Sequence, residues 1–268
     1  MADRRSTVDE APLSGAGRVG PFFALRTGTG EPHQEGYARI GEAYRLTGQG
    51  AAGPVLRARV EAVAASLRTE EPRVAASLAF QGLAARMWSL ALGPAALSGR
   101  VPHLRPDRLW WNPERTAPDD LWWPGVAPPV MGEPGGLAGR MGTAAYVHLT
   151  PLHHAVERAY RVSGRLLWGN AASALAGSLR VLHDWCRTHG LPEAADRATE
   201  LARAQLVRPP LRDTGTLMPA PFPATPSAPL GYRRRTCCLY YRVPGGGLCG
   251  DCVLRGAGGV GEAPGTPG

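Results

Sequence analysis

Arg165-Leu-Leu-Trp-Gly-Asn-Ala-Ala-Ser-Ala-Leu-Ala-Gly-Ser-Leu-Arg-Val-Leu-His-Asp-Trp-Cys-Arg-Thr-His189 decides the fold class. Trp168, Ala172, Leu175, Leu179, Leu182 and Cys186 recur at steps of 4, 3, 4, 3 and 4, the spacing that puts side chains on one face of a helix. Gly190 follows as a ready C-terminal cap. The same rhythm appears upstream. Pro54 opens a helix with Leu56, Val60, Val63 and Leu67 on one side, and Val74 to Leu92 continues through Phe80, Leu83, Met87 and Leu90 until Gly93-Pro94 ends it. Gln34 to Leu46 reads as a short helix. Thr150-Pro151 reads as an N-cap with proline at the first helical position, starting a helix to about Tyr160. Pro192 starts a last helix to about Leu206.

Composition agrees. Hydrophobic residues make up 44 % of the 268-residue chain and charged residues 19 %, which fits a globular protein rather than a disordered one. Leu and Ala dominate the apolar set and Ile occurs once, at Ile40, which favours helix over sheet. From Gly99 to Gly142 the texture changes: Pro and Gly become dense around Trp110-Trp111 and Trp122-Trp123, suggesting short strands or an ordered loop. These Trp could form a ligand platform, but packing is the commoner role of aromatic residues. The fold expected is mainly α, with α+β admitted. Its organisation is a flexible tail at 1–29, a helical domain at 30–206 with a Trp-rich insertion at 99–142, a Pro-rich linker at 207–230, a cysteine module at 231–255 and a disordered tail at 256–268.

Four of the five cysteines lie in that module, within Arg233-Arg-Arg-Thr-Cys-Cys-Leu-Tyr-Tyr-Arg-Val-Pro-Gly-Gly-Gly-Leu-Cys-Gly-Asp-Cys252. Cys249-Gly-Asp-Cys252 is a C-x-x-C turn, which zinc and iron–sulfur sites both use. Cys237 and Cys238 are adjacent, and successive side chains of an extended backbone point to opposite faces. Gripping one ion with both needs a distorted turn, so the pair tilts the reading towards two irons, while a four-Cys zinc staple stays open. Gly245-Gly246-Gly247 lets the chain turn tightly and bring N–H groups to the sulfurs.

Every basic residue is Arg, and the formal charge is +8. Seven Arg against two acids fall between Arg208 and Arg255. Arg233, Arg234, Arg235, Arg242 and Arg255 would favour the reduced form of an anionic cluster and attract an anionic substrate. Arg233 to Arg235 could instead be a nucleic-acid patch, but aromatic interleaving stops at Tyr240 and Tyr241, so no nucleic-acid partner is expected. His153 and His154 are adjacent on a helix and cannot chelate one metal together; Cys186 falls on an apolar stripe and reads as an inert buried thiol. No apolar run approaches the ~20 residues of a membrane helix and Met1 to Gly20 lacks an apolar leader segment, so a cytoplasmic protein with no transmembrane segment is expected.

Arg235-Thr-Cys-Cys-Leu-Tyr-Tyr-Arg-Val-Pro-Gly-Gly-Gly-Leu-Cys-Gly-Asp-Cys-Val-Leu254 resembles the C-terminal signature of the FhuF-like ferric siderophore reductases, matching all four cysteines of a C-C-x10-C-x-x-C pattern. Leu167-Trp168-Gly169-Asn170 and the following Ala171 to Leu175 resemble a second stretch of that family. Ser77, in Ser77-Leu-Ala-Phe-Gln-Gly82, lies in family-like sequence but reads as a helix residue without a chemical role. The resemblance covers about 232–255 well, 144–185 less well, and nothing before residue 50.

The resemblance implies a [2Fe-2S] cluster on Cys237, Cys238, Cys249 and Cys252 and one-electron reduction of a ferric siderophore in the cytoplasm. Siderophores hold Fe(III) through hard oxygen donors and hold Fe(II) poorly, so one electron makes the iron releasable. Trp168 and Asn170 could wall the cluster, and Arg233, Arg234, Arg235 and Arg242 could tune it. An external electron donor such as a ferredoxin is expected. The rival readings are a zinc-stapled basic nucleic-acid-binding or regulatory protein, and an iron–sulfur electron carrier or redox sensor.

Overall fold

A computed structural model describes residues 13, 15–30, 32–132, 135–218 and 231–254. The fold is mainly α with small sheets at its edges. Five long helices form the body: α1 (Pro54–Leu67), α2 (Pro72–Ser98), α3 (Leu137–Tyr160), α4 (Gly164–Thr188) and α5 (Pro192–Leu206). Helix α2 is apolar around its whole circumference, which only a buried helix tolerates, and α1, α3, α4 and α5 all pack against it. Helices α3, α4 and α5 are one-faced and turn Leu149, Leu152, Leu175, Leu179, Leu182 and Leu201 into the shared core.

Two prolines expected at helix boundaries lie inside helices. Helix α2 runs through Gly93-Pro94 to Ser98. A proline ring inside a helix costs roughly 3 kcal/mol, and burial of Gly93, Pro94, Ala95 and Ala96 in the core offsets it. Gly93 is there for packing, because a Cβ would lie 2.9 Å from the Phe23 ring. Helix α3 starts at Leu137 rather than Thr150 and carries Pro151 in its interior. Its first half buries Met141, Ala145, His148 and Leu149, a helical rhythm masked by the Gly-rich sequence around it.

The short helix expected over Gln34 to Leu46 is instead a 3-10 turn at Pro32–Glu35, a strand β2 (Ala38–Arg39) and a second 3-10 turn at Ile40–Tyr44. The expected tail also ends earlier than residue 29. Residues Pro21–Phe23 form a 3-10 turn with Phe23 buried, and β1 (Arg26–Gly28) joins a sheet. That sheet has the order β1-β6-β5-β2. Strand β6 (Leu121–Pro124) runs parallel to β1 and antiparallel to β5 (Trp110–Trp111), which pairs antiparallel with β2. The Trp-rich insertion is therefore the middle of this sheet. Trp111, Trp122 and Trp123 are buried, while Trp110 is half-buried beneath the Arg39 guanidinium at 4.1 Å. Strands β3 (Leu46–Thr47) and β4 (Ala51–Ala52) pair separately. The start of the expected linker is ordered too: β7 (Gly215–Met218) pairs antiparallel with β8 (Gly231–Arg234). The rest of that linker, the tail at 256–268 and Arg255 lie outside the described residues.

Arg86 on α2 joins the sheet to the helices. Its Nε donates to both oxygens of Asp120, at 3.0 and 3.3 Å, Nη1 donates to the carbonyls of Pro21 and Phe22, and Nη2 to that of Ala24. Both side chains are almost fully buried. Removing one member of such a pair leaves the other as an uncompensated buried charge. Arg86→Met is expected to cost roughly 3–5 kcal/mol in urea unfolding, and an unchanged midpoint would contradict this role.

His148 on α3 is fully buried. Nε2–H donates to the Leu104 carbonyl at 2.6 Å, so Nδ1 accepts from the Tyr44 hydroxyl at 2.7 Å. Burial pushes its pKa from 6.5 down to about 4, so the native ring is neutral. Below pH 6.5 the unfolded chain takes up a proton that the native chain refuses. The resulting stability, complete above pH 6.5, declines by about 1.4 kcal/mol per unit as pH falls towards 4. Unfolding free energies at pH 7 and pH 5 should show this decline, and His148→Gln should remove that share of it.

Candidate metal centre

The β7–β8 hairpin lies against α4, with Tyr232 and Arg234 buried on alternate positions of β8. Thr214 hydrogen-bonds the Tyr232 hydroxyl at 2.9 Å. After β8 the chain crosses α4 at Gly169, where a Cβ would collide with Thr236 Oγ1. The Leu-Trp-Gly-Asn stretch is thus the ledge on which the cysteine segment rests.

Cys237 and Cys238 follow, and Leu239 turns the chain with φ +71°. A 3-10 turn at Tyr240–Arg242 leads into the glycine run. Gly246 is the constrained member: a Cβ there would stand 2.6 Å from the Tyr240 carbonyl and 2.8 Å from that of Val243. The second pair closes as a turn, with the Cys252 amide donating to the Cys249 carbonyl at 3.1 Å. Backbone amides also reach the sulfurs, Leu239 N–H to Cys237 Sγ at 3.3 Å and Leu254 N–H to Cys252 Sγ at 3.4 Å.

Cys238 and Cys252 are buried; Cys237 and Cys249 are half-buried. All are free thiols. Burial first, then the neighbouring Cys238 and Cys252, pushes the Cys249 thiol up to about 12 against a smaller downward pull from Arg234. Cys237 is raised for the same leading reason, with the Leu239 amide and Arg234 acting the other way. Two thiols whose ionisation is held back in this way call for a cation to displace their protons. Among the described residues no three His, Cys, Asp or Glu side chains converge on one point tightly enough to hold a metal ion. The thiols form a looser set of electrostatic neighbours.

The surrounding residues fit an anionic group. Arg234 is 1 % exposed, and its guanidinium donates to the Thr236 carbonyl, Gln81 Oε1 and Asn170 Oδ1, all neutral acceptors. A buried cation with only neutral partners is costly unless an anion stands nearby. Thr236 Oγ1, next to Cys237, is buried without a hydrogen-bond partner among the described residues, a donor available to a sulfur. Cys237, Cys238, Cys249 and Cys252 would supply the thiolates that iron–sulfur clusters bind.

Tertiary contacts assemble the rest. Asn170 Nδ2 donates to the Ser77 carbonyl at 2.8 Å and its Oγ at 2.9 Å, and Ser77 Oγ donates to the Cys238 carbonyl at 2.9 Å. Asp251, between the last two cysteines, accepts from Ser173 Oγ at 2.6 Å and pairs with Arg180 at 3.2 Å. Sequence alone assigns no chemical role to Ser77, Gln81, Ser173, Arg180 or Asp251.

Of the residues singled out, Asn170 and Arg234 join the array. Trp168 does not: it stacks on His153 at 4.7 Å and meets Tyr146 edge-on. Arg233 sits in β8 opposite Thr216. Arg235 pairs with Asp213 at 3.8 Å, and Arg242 with Glu71 at 2.7 Å. Cys186 is buried on α4, its thiol raised by burial.

A hairpin-mounted four-thiol loop beside a buried cation offers the kind of donors an iron–sulfur group takes. Residues 234–254 match the FhuF 2Fe-2S C-terminal domain, a span that holds Arg234, all four cysteines and Asp251. The resemblance to FhuF-like proteins is upheld over this short stretch, and the cofactor implied is a [2Fe-2S] cluster. No curated protein matches the chain. No helix among the described residues is long and apolar enough to cross a membrane.

Proposed function

We propose that the protein is a cytoplasmic ferric-siderophore reductase that passes one electron to bound Fe(III) and so releases Fe(II). The observation that carries this reading is the FhuF-type match over a module whose Cys237 and Cys249 are half-buried rather than sealed. When bound, the cluster supplies one-electron transfer. The residues around it set the conditions. Arg234 offsets negative charge, Ser77 and Asn170 hold the first cysteine pair, and Asp251 ties the second pair to α4 through Ser173 and Arg180. The ferric complex is the electron acceptor. It leaves as the ferrous state of an oxygen-donor chelate that binds Fe(II) poorly, and a separate carrier such as a ferredoxin restores the electron.

The test is anaerobic. Protein reduced with dithionite and freed of excess reductant is mixed with ferric siderophores and a ferrous-specific chelator. Reoxidation of the cluster bands, with one Fe(II) trapped per electron lost, is expected. A cluster that stays reduced with every siderophore, or a colourless protein holding stoichiometric zinc, overturns the reading.

A further inference from the structure

A cavity of about 540 Å3 opens against the second cysteine pair, within the usual range for small-molecule sites. Its walls are α2, α4, the Pro21–Phe23 turn and the Cys249–Asp251 segment. Ala85, Ala174 and Gly177 keep the interior open, while Phe22 (43 % exposed) and Val181 (52 % exposed) stand at the mouth. The polar side chains on these walls are already engaged. Ser89 and Ser178 hydrogen-bond each other at 2.9 Å, Ser173 and Arg180 hold Asp251, and Gln81 accepts from Arg234. The one cation and one carboxylate neutralise each other. What remains for a ligand is apolar surface with no net charge, ending at Cys249.

Resting on the ferric-siderophore reading, we infer that this cavity binds an alkyl or aryl arm of the ferric chelate. The oxygen-rich iron centre would lose its hydration inside without finding partners there, and such desolvation is costly. The centre stays at the Cys249–Gly250 edge, and the arm fills the space between α2 and α4. The arm thereby selects amphiphilic chelates and fixes the iron beside the cysteine loop.

The experiment uses the cluster-loaded protein and gallium(III) chelates, which bind as the ferric forms do but are not reduced. The chelates share one head group and carry unbranched alkyl arms of stepwise increasing length; binding is read by calorimetry. Affinity is expected to rise about fourfold for each methylene buried, until the cavity is full. Ala174→Phe, which fills the interior, should flatten this dependence while the visible spectrum of the cluster is retained. Phe22→Asp, an exposed change at the mouth, does the same should Ala174→Phe fail to fold. An affinity indifferent to arm length in the unmodified protein, or an unchanged slope in both variants, overturns the inference. Iron forms that reoxidise the reduced cluster while gallium affinities stay flat would sink the cavity assignment alone. A steep slope with no reoxidation upholds the cavity assignment and sinks the reductase reading.

Discussion

Cys249→Ser should yield a protein without the visible bands or the reduced-state EPR signal of the cluster. Cys249 is half-buried on the wall of the cavity and is an electrostatic neighbour of Cys238 and Cys252. A serine hydroxyl at the same place remains protonated and is a hard oxygen donor, whereas iron–sulfur clusters are held by thiolates. The substitution is small and the side chain is only half-buried, so the helical body should retain its far-UV circular dichroism. Iron and sulfide analysis alongside the spectrum completes the measurement. Full colour and stoichiometric iron in the variant would remove Cys249 from the ligand set.

Arg234→Met should lower the cluster's midpoint potential by roughly 59 mV or more, a tenfold change in a one-electron equilibrium, through loss of a unit charge at an effective dielectric near ~20. The reason lies in its partners. The guanidinium is buried against Asn170, Gln81 and the Thr236 carbonyl, none of them anionic, and it acts on Cys237 and Cys249 through space. A bound [2Fe-2S] cluster with four thiolates is a dianion when oxidised and a trianion when reduced. The buried cation therefore stabilises the reduced form more. Two further variants separate charge from packing. Arg234→Lys keeps the charge but not the fork of donors, so its potential should stay near that of the unmodified protein while its stability falls. Asn170→Asp leaves Arg234 in place and neutralises it, so its potential should fall as in Arg234→Met. Equal potentials in the unmodified protein and all three variants, measured by EPR-monitored redox titration, would reduce Arg234 to a structural residue.

Individual elements show why some of this architecture is readable from sequence and some is not. Helix α4 announces itself because its apolar stripe is uninterrupted and its periodicity is a local property of the chain. Pro94 and Pro151 mislead because proline's dislike of a helix interior is also local, at roughly 3 kcal/mol, and tertiary burial exceeds it. The packing of Phe23 on Gly93 is invisible at the level of residue spacing, since it joins the Pro21–Phe23 turn to the far end of α2. The parallel pairing of Arg26 with Trp122 is equally hidden, and it turns an apparent tail into the edge of a sheet.

The metal centre divides along the same line. Cys237, Cys238, Cys249 and Cys252, with the glycines between them, are legible as candidate ligands because a C-x-x-C turn and an adjacent pair bring sulfurs together over a few residues of backbone. The family resemblance then extended that legibility to the identity of the cluster. The environment of those sulfurs comes from elsewhere. Ser77 meets the Cys238 carbonyl across 161 residues, Gln81 meets Arg234 across 153, and Ser173 meets Asp251 across 78. Spacing along a chain carries no record of such contacts; they exist only once α2, α4 and the β7–β8 hairpin are packed. Local backbone geometry thus determines which atoms can bind the metal. The folded arrangement decides which of several similar arginines is buried beside it, and where the cavity that meets Cys249 opens.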